Sequence, residues 1–291
     1  MAMFLLLLCP LLSAQTYTGL LPLEHPGTKT YYSPGSEQQA REMAQRCDRV
    51  ISFYGELLDF EPKVTLLVLS KEDWGAFTNF PVYGMPHYDD DETLIVASQD
   101  NEFWDSFIPP LENLPRELAQ QVSGTYSDGE GNLGMRRFFD LLAIHELGHA
   151  YHMQAGLNTQ RIWMGELFAN VLLHTYTAEE EPELLPALTV FPKMVISSTP
   201  KESLAYTSLE ELESNYAKIG QEYPNNYGWY QCRWHMAAAN IYERGNSTAL
   251  KNLWNALKTQ KENLEKGPFI TLLLEQVHQS VADVPLKWDR D

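Results

Sequence analysis

Residues 138–153 read FFDLLAIHELGHAYHM. The apolar content of this stretch is that of a buried helix. On such a helix, residues four apart share a face. His145 and His149, the ends of the HExxH pattern His145-Glu146-Leu147-Gly148-His149, can therefore both reach one metal ion. Glu146 is one residue on and stands beside that ion, where it can activate water. The same five-residue pattern also arises by chance in exposed, charged helices. Here the surroundings are apolar, and two histidines and a glutamate are costly to bury without a partner.

Reading onward, Gly156 is a plausible C-cap and residues 158–161 form a polar turn. A new helix then begins with Trp163-Met164-Gly165-Glu166-Leu167-Phe168-Ala169-Asn170. Glu166 lies in an apolar stretch whose one nearby cation is Arg161. A buried carboxylate needs a metal, a cation or a proton. Glu166 is the natural third ligand, which makes a His₂Glu set with one coordination position open, the pattern of catalytic zinc. The expected cofactor is one Zn²⁺ per chain. Asn170 is four residues further, on the same face, and is expected to orient a ligand histidine.

His145, Glu146, His149 and the Glu166 of GELFAN resemble the gluzincins, the clan of thermolysin-like and aminopeptidase-like zinc peptidases. In that clan the third ligand is a Glu from the next helix, often followed four residues later by Asp or Asn. The gap between motif and third ligand is slightly shorter here than in the best-known members. The competing HExxHxxGxxH pattern fails, because its glycine position holds His152 and its third histidine position holds Ala155. His152 is read as a packed or supporting residue. The resemblance also implies a tyrosine-bearing helix that helps to hold an oxyanion. Asn225 to Trp234, leading into a helix that ends at Arg244-Gly245, is similar to it. Tyr230 is the first choice for that tyrosine and Tyr227 the second; the alternative is an aromatic helix start packed in the core. Arg233 and His235 are weaker candidates for holding a substrate carboxylate. The aminopeptidase GxMEN motif has no counterpart, Gly84-Met85-Pro86-His87-Tyr88 being a faint echo.

Before this region the chain has a different character. Residues 16–35 read as an extended lead-in. Glu37 to Leu58 carries a helical stripe of Ala40, Met43, Ala44, Cys47, Val50, Ile51 and Tyr54. Lys63–Leu69 (KVTLLVL) reads as a buried strand, Trp74 to Phe80 opens with a short helix, and Thr93–Ala97 (TLIVA) reads as a second strand. That second strand is either an edge along which an extended peptide could lie or an ordinary internal strand. Pro109-Pro110 and Pro115 punctuate a loop, and residues 124–134 (GTYSDGEGNLG) read as a connector. The expected fold class is α+β. A small mixed part over 15–134 precedes a mostly helical part over 135–291, with the metal site near their junction.

The chain has 291 residues, 44% hydrophobic and 21% charged, which suits a folded protein with a proper core. Its formal net charge of -18 opposes nucleic-acid binding, which needs a basic footprint. Met3 to Leu12 is apolar and too short to span a bilayer, and Ser13-Ala14-Gln15 follows. Residues 1–14 fit a secretory signal peptide cut after Ala14, although no Lys or Arg precedes the apolar run; a buried N-terminal helix is the alternative. A secreted or periplasmic location is expected, with no membrane span. Leu8 before Cys9 speaks against a lipid anchor. Cys47 and Cys232 are either a disulfide or two buried thiols, and the lack of any CxxC pair excludes a cysteine zinc site.

The function expected from these residues is hydrolysis of a peptide or protein substrate by a metal-activated water with Glu146 as general base. Two rivals stand beside it. One is a non-catalytic zinc protein that binds peptides, against which Glu146 argues because a structural site has no use for it. The other is a zinc hydrolase of a non-peptide amide.

Overall fold

A computed structural model describes residues 17–108, 110–128 and 130–290. The expected signal peptide lies outside the described residues. The fold is α+β. Strands β1 (Leu21–Pro22) and β2 (Lys29–Tyr32) lead into helix α1 (Glu37–Leu58), followed by β3 (Thr65–Leu69), α2 (Lys71–Phe77), β4 (His87–Tyr88) and β5 (Thr93–Ala97). Helices take over from there: α3 (Glu102–Asp105), α4 (Arg116–Tyr126), α5 (Arg136–Gln154), α6 (Ile162–Glu180), α7 (Leu185–Ser198) and α8 (Leu209–Glu222). The last three are α9 (Pro224–Thr259), α10 (Lys266–Leu272) and α11 (Gln279–Lys287). The extended lead-in thus forms two short strands, and the supposed connector at 124–134 begins inside α4.

The five strands lie in the order β1-β2-β3-β5-β4. β3 is parallel to both β2 and β5, while β1 and β4 cap the edges antiparallel. Strands flanked on both sides by neighbours and covered by helices read as continuous apolar runs. TLLVL and TLIVA are such runs, and Leu66 through Leu69 and Leu94 and Ile95 are fully buried. β5 is therefore internal, with β3 on one side and the two-residue β4 on the other; the peptide-binding edge reading of Thr93–Ala97 does not hold.

Helix α1 packs on β2 and β3, while α5 packs on β5 and β4 and also against α1. α6 is the centre of the helical part, buried at every residue from Trp163 through Thr177 and packed on α5, α9, α8 and α7. A helix apolar all round belongs in the middle of a core. One hydrophobic cluster runs through both parts of the chain, from Leu23 and the sheet to Trp254 and Trp288. Helix α9 breaks its regularity at Asn246, where φ is 42°. Cys47 and Cys232 are both free and buried, so the disulfide alternative is excluded; burial pushes the Cys47 thiol up to about 12. Among the described residues no helix is long and apolar enough to cross a membrane.

Candidate metal centre

The centre forms where α5 and α6 come closest. Gly148, inside the HExxH run, faces Ala169 of α6; a Cβ built on Gly148 would stand 2.7 Å from the Ala169 Cα and 2.9 Å from its Cβ. That near contact of two backbones carries Glu166 to the side of both histidines. The turn between the helices is closed by Gly156 at φ 63°, whose N–H bonds the Met153 carbonyl, while the Leu157 N–H bonds that of His152. A glycine in this left-handed conformation ends a helix without steric penalty.

His145, His149 and Glu166 form a group that could hold a metal ion. His145 Nε2 and His149 Nε2 are 3.0 Å apart. Glu166 Oε2 is 3.4 Å from the first and 3.7 Å from the second. Three ligands at zinc bond lengths of ~2.0–2.2 Å in a tetrahedral arrangement stand about 3.3–3.5 Å from one another. The observed separations bracket that value. Two imidazoles and a carboxylate are also the mixed nitrogen and oxygen donors that zinc accepts. His145 and Glu166 are each 6% exposed, while the His149 side chain is 19% exposed, so the group is buried on two sides and open to solvent at His149.

Burial alone would raise the Glu166 carboxyl, but His149 and His145 opposite it prevail and hold it well below the usual carboxylate range. Glu146 differs. Burial, opposed by His149 and reinforced by Glu166, pushes it up to about 7. Its side chain makes no hydrogen bond among the described residues, so one carboxylate is gripped and its neighbour is left free. A carboxyl that titrates near neutrality is suited to taking and giving a proton.

His152 stands against the second of the two histidines. Its Nε2 lies 3.0 Å from His149 Nδ1. Burial, with His149 nearby, pushes His152 down to about 3, so its ring is neutral and its Nε2 is able to accept a proton from His149 Nδ1. With the proton on Nδ1, the His149 Nε2 lone pair would face His145 and Glu166. His152 is thus both packed, against Phe168, and in contact with His149.

Asn170 is fully buried, but it bonds neither histidine among the described residues. Its Nδ2 donates to the Glu166 backbone carbonyl at 2.9 Å, and its buried Oδ1, like His145 Nδ1, has no hydrogen-bond partner among the described residues. Its links to the centre are through the Glu166 backbone and, at 3.4 Å, through Gln231 Oε1.

The two tyrosines separate. The Tyr230 hydroxyl donates to the Ser208 carbonyl at 2.8 Å, and its ring stacks on those of Trp234 and Trp288, which also lie against each other. It belongs to an aromatic cluster, and among the described residues no hydrogen bond or ring contact joins it to the metal-binding group, which speaks against the choice of Tyr230 over Tyr227. One helical turn earlier, the Tyr227 hydroxyl is 3.2 Å from that of Tyr216 and accepts from Gln231 Nε2 at 2.9 Å. Tyr216 and Gln231 both touch Glu166. The Arg233 guanidinium lies over the Trp288 ring and bonds its carbonyl. His235 is buried beside Phe138, its ring centre 6.5 Å from that of His145, and burial holds it well below the usual histidine range. Neither is disposed to receive a substrate carboxylate.

Tyr216 and Gln231 escaped the sequence reading. Gln231 is one turn after Tyr227, so the i, i+4 spacing within Asn225–Trp234 carried a signal for it. Tyr216 lies in the polar helix LEELESNYAKIGQE, where nothing local marks it.

Comparison with protein-family models gave no match, and neither did comparison with curated proteins.

Proposed function

We propose that the chain is a zinc-dependent metallopeptidase of gluzincin type, with His145, His149 and Glu166 holding the metal and Glu146 acting as general base. The observation that carries the reading is the pairing of two unlike carboxylates: Glu166, held ionised against two imidazoles, and Glu146, unbonded and titrating near neutrality beside them. A purely structural metal site would need only the first. Zinc held there supplies the Lewis acidity that polarises a scissile carbonyl and acidifies water. Glu146 takes the proton of the attacking water and delivers it to the leaving nitrogen. Tyr227 is assigned to the developing oxyanion, its hydroxyl turning from Tyr216 to the substrate oxygen. His152 keeps His149 in the tautomer that binds metal.

The test is incubation of purified protein with a diverse peptide mixture, with and without a chelator, read by mass spectrometry. Cleavage that the chelator abolishes and added zinc restores is expected. Zinc-loaded protein that cuts no peptide refutes the peptidase reading, in favour of peptide binding or a non-peptide amide substrate. His149→Ala and Glu166→Ala should each empty the site by elemental analysis, and full zinc in both would remove the ligand assignment.

A further inference from the structure

Both oxygens of Glu166 are gripped from outside the helices that bear the metal-binding group. From α8, the Tyr216 hydroxyl donates to Oε1 at 2.7 Å. From α9, Gln231 Nε2 donates to Oε2 at 2.7 Å, the same oxygen that faces His145 and His149. The contacts have one consistent direction. A tyrosine hydroxyl has a single hydrogen. That of Tyr216 goes to Glu166, so across the 3.2 Å contact Tyr227 is the donor. Tyr227 in turn accepts the second Gln231 N–H at 2.9 Å, and Gln231 Oε1 faces Asn170 Nδ2 at 3.4 Å. The hydrogen bonds thus run from Asn170 to Gln231 and from there reach the carboxylate by two routes, one direct and one through both tyrosines.

The terminal torsion of a glutamate is broad and two-fold when nothing holds it. Donors on opposite oxygens remove that freedom and leave the second lone pair of Oε2 directed at the histidines. A packing role alone is a poor explanation of these residues. Apolar side chains would fill the same space without a set of buried polar atoms that must all be satisfied.

We infer that Tyr216 and Gln231 are positioning residues of the metal centre, which by gripping opposite oxygens of Glu166 set how tightly and in what geometry the third ligand holds the ion. The inference rests on Glu166 being a metal ligand and not on the peptidase activity.

The experiment is zinc competition against a chromogenic chelator, with the visible spectrum of the cobalt(II)-substituted protein as a second readout. Wild type is compared with Tyr216→Phe, which loses one oxygen, and Gln231→Met, which keeps the length and loses the donor. Each substitution should weaken zinc binding by about 10–100-fold and alter the cobalt absorption. The metal-free variants should melt below wild type, as the loss of a buried hydrogen bond requires, but the cobalt spectrum of the folded protein should also change, which a merely structural role would not produce. Should Gln231→Met fail to fold, Tyr216→Phe decides by itself. Variants that bind zinc as tightly as wild type with an unchanged cobalt spectrum overturn the grip and leave the ligand assignment standing. Wild-type protein that takes up neither metal overturns both.

Discussion

Gly148 of α5 and Ala169 of α6 meet so closely that the site depends on a missing methyl group: a Cβ on Gly148 would lie 2.7 Å from the Ala169 Cα. The neighbour on that side is backbone and cannot swing away. Gly148→Ala must push α5 and α6 apart or shift one along the other. Overpacking of this kind costs about 1–3 kcal/mol. Because Glu166 is on the displaced helix, zinc content should fall together with stability. Urea unfolding and metal analysis of the variant check this; wild-type stability with full metal would show that the contact has slack.

Glu146→Gln separates base from ligand. His145, His149 and Glu166 are untouched, so zinc should remain bound. Turnover on any peptide that wild type cuts should fall by roughly 10²–10⁴-fold, the usual contribution of general-base catalysis. The fold should survive, since the change removes a buried ionisable group whose burial is unfavourable to its charged form. Equal turnover in the two proteins, each with full zinc, would refute the mechanism.

Tyr230→Phe and Tyr227→Phe should part company. The first loses a bond to the Ser208 carbonyl at the start of α8 and should reduce stability by about 1 kcal/mol, with turnover and zinc content kept. The second removes the hydroxyl that links Tyr216 and Gln231 and should lower turnover. Kinetics and thermal melting of the pair decide it, and the reverse pattern would return the oxyanion role to Tyr230.

Asp283 of α11 gives a pH-dependent test of how the C-terminal helix is fastened. Burial would raise its carboxyl, but hydrogen bonds from Arg244, Gln279 and Lys287 outweigh burial and hold it at about 2. A carboxyl depressed in the folded state contributes stability above its unfolded value near 4, and that contribution disappears as pH falls toward 2. Arg244 and Lys287 are about half exposed, so solvent screening limits the contribution to about 1 kcal/mol. Asp283→Asn should therefore melt below wild type at pH 7, with the gap closing between about pH 4 and pH 2. A gap that is constant over that range would assign the effect to packing.

How much of this molecule was legible beforehand can be judged from particular residues. The helix over 37–58, the apolar strands ending at Leu69 and Ala97, and the division into a sheet-bearing part and a helical part all follow from local periodicity, which is a property of neighbours along the chain. So does the juxtaposition of His145 and His149, because four residues of α-helix return a side chain to the same face. Glu166 was within reach of the same reasoning, since a carboxylate in an otherwise apolar stretch must be answered by something.

Sequence by itself therefore determined which residues could bind a metal and that the fold is α+β. Only the tertiary structure decided what surrounds them: that Gly148 lets α5 lie against Ala169, that Tyr216 and Gln231 grip Glu166, that Tyr230 faces Ser208 while Tyr227 joins the network, that β5 is internal, and that Cys47 and Cys232 stay apart. These contacts join residues distant in the chain, from Gln231 and Glu166 in the centre to β3 and β5 in the sheet. Each depends on the direction in which one whole helix or strand packs on another, and that direction is set by the summed burial of the shared core.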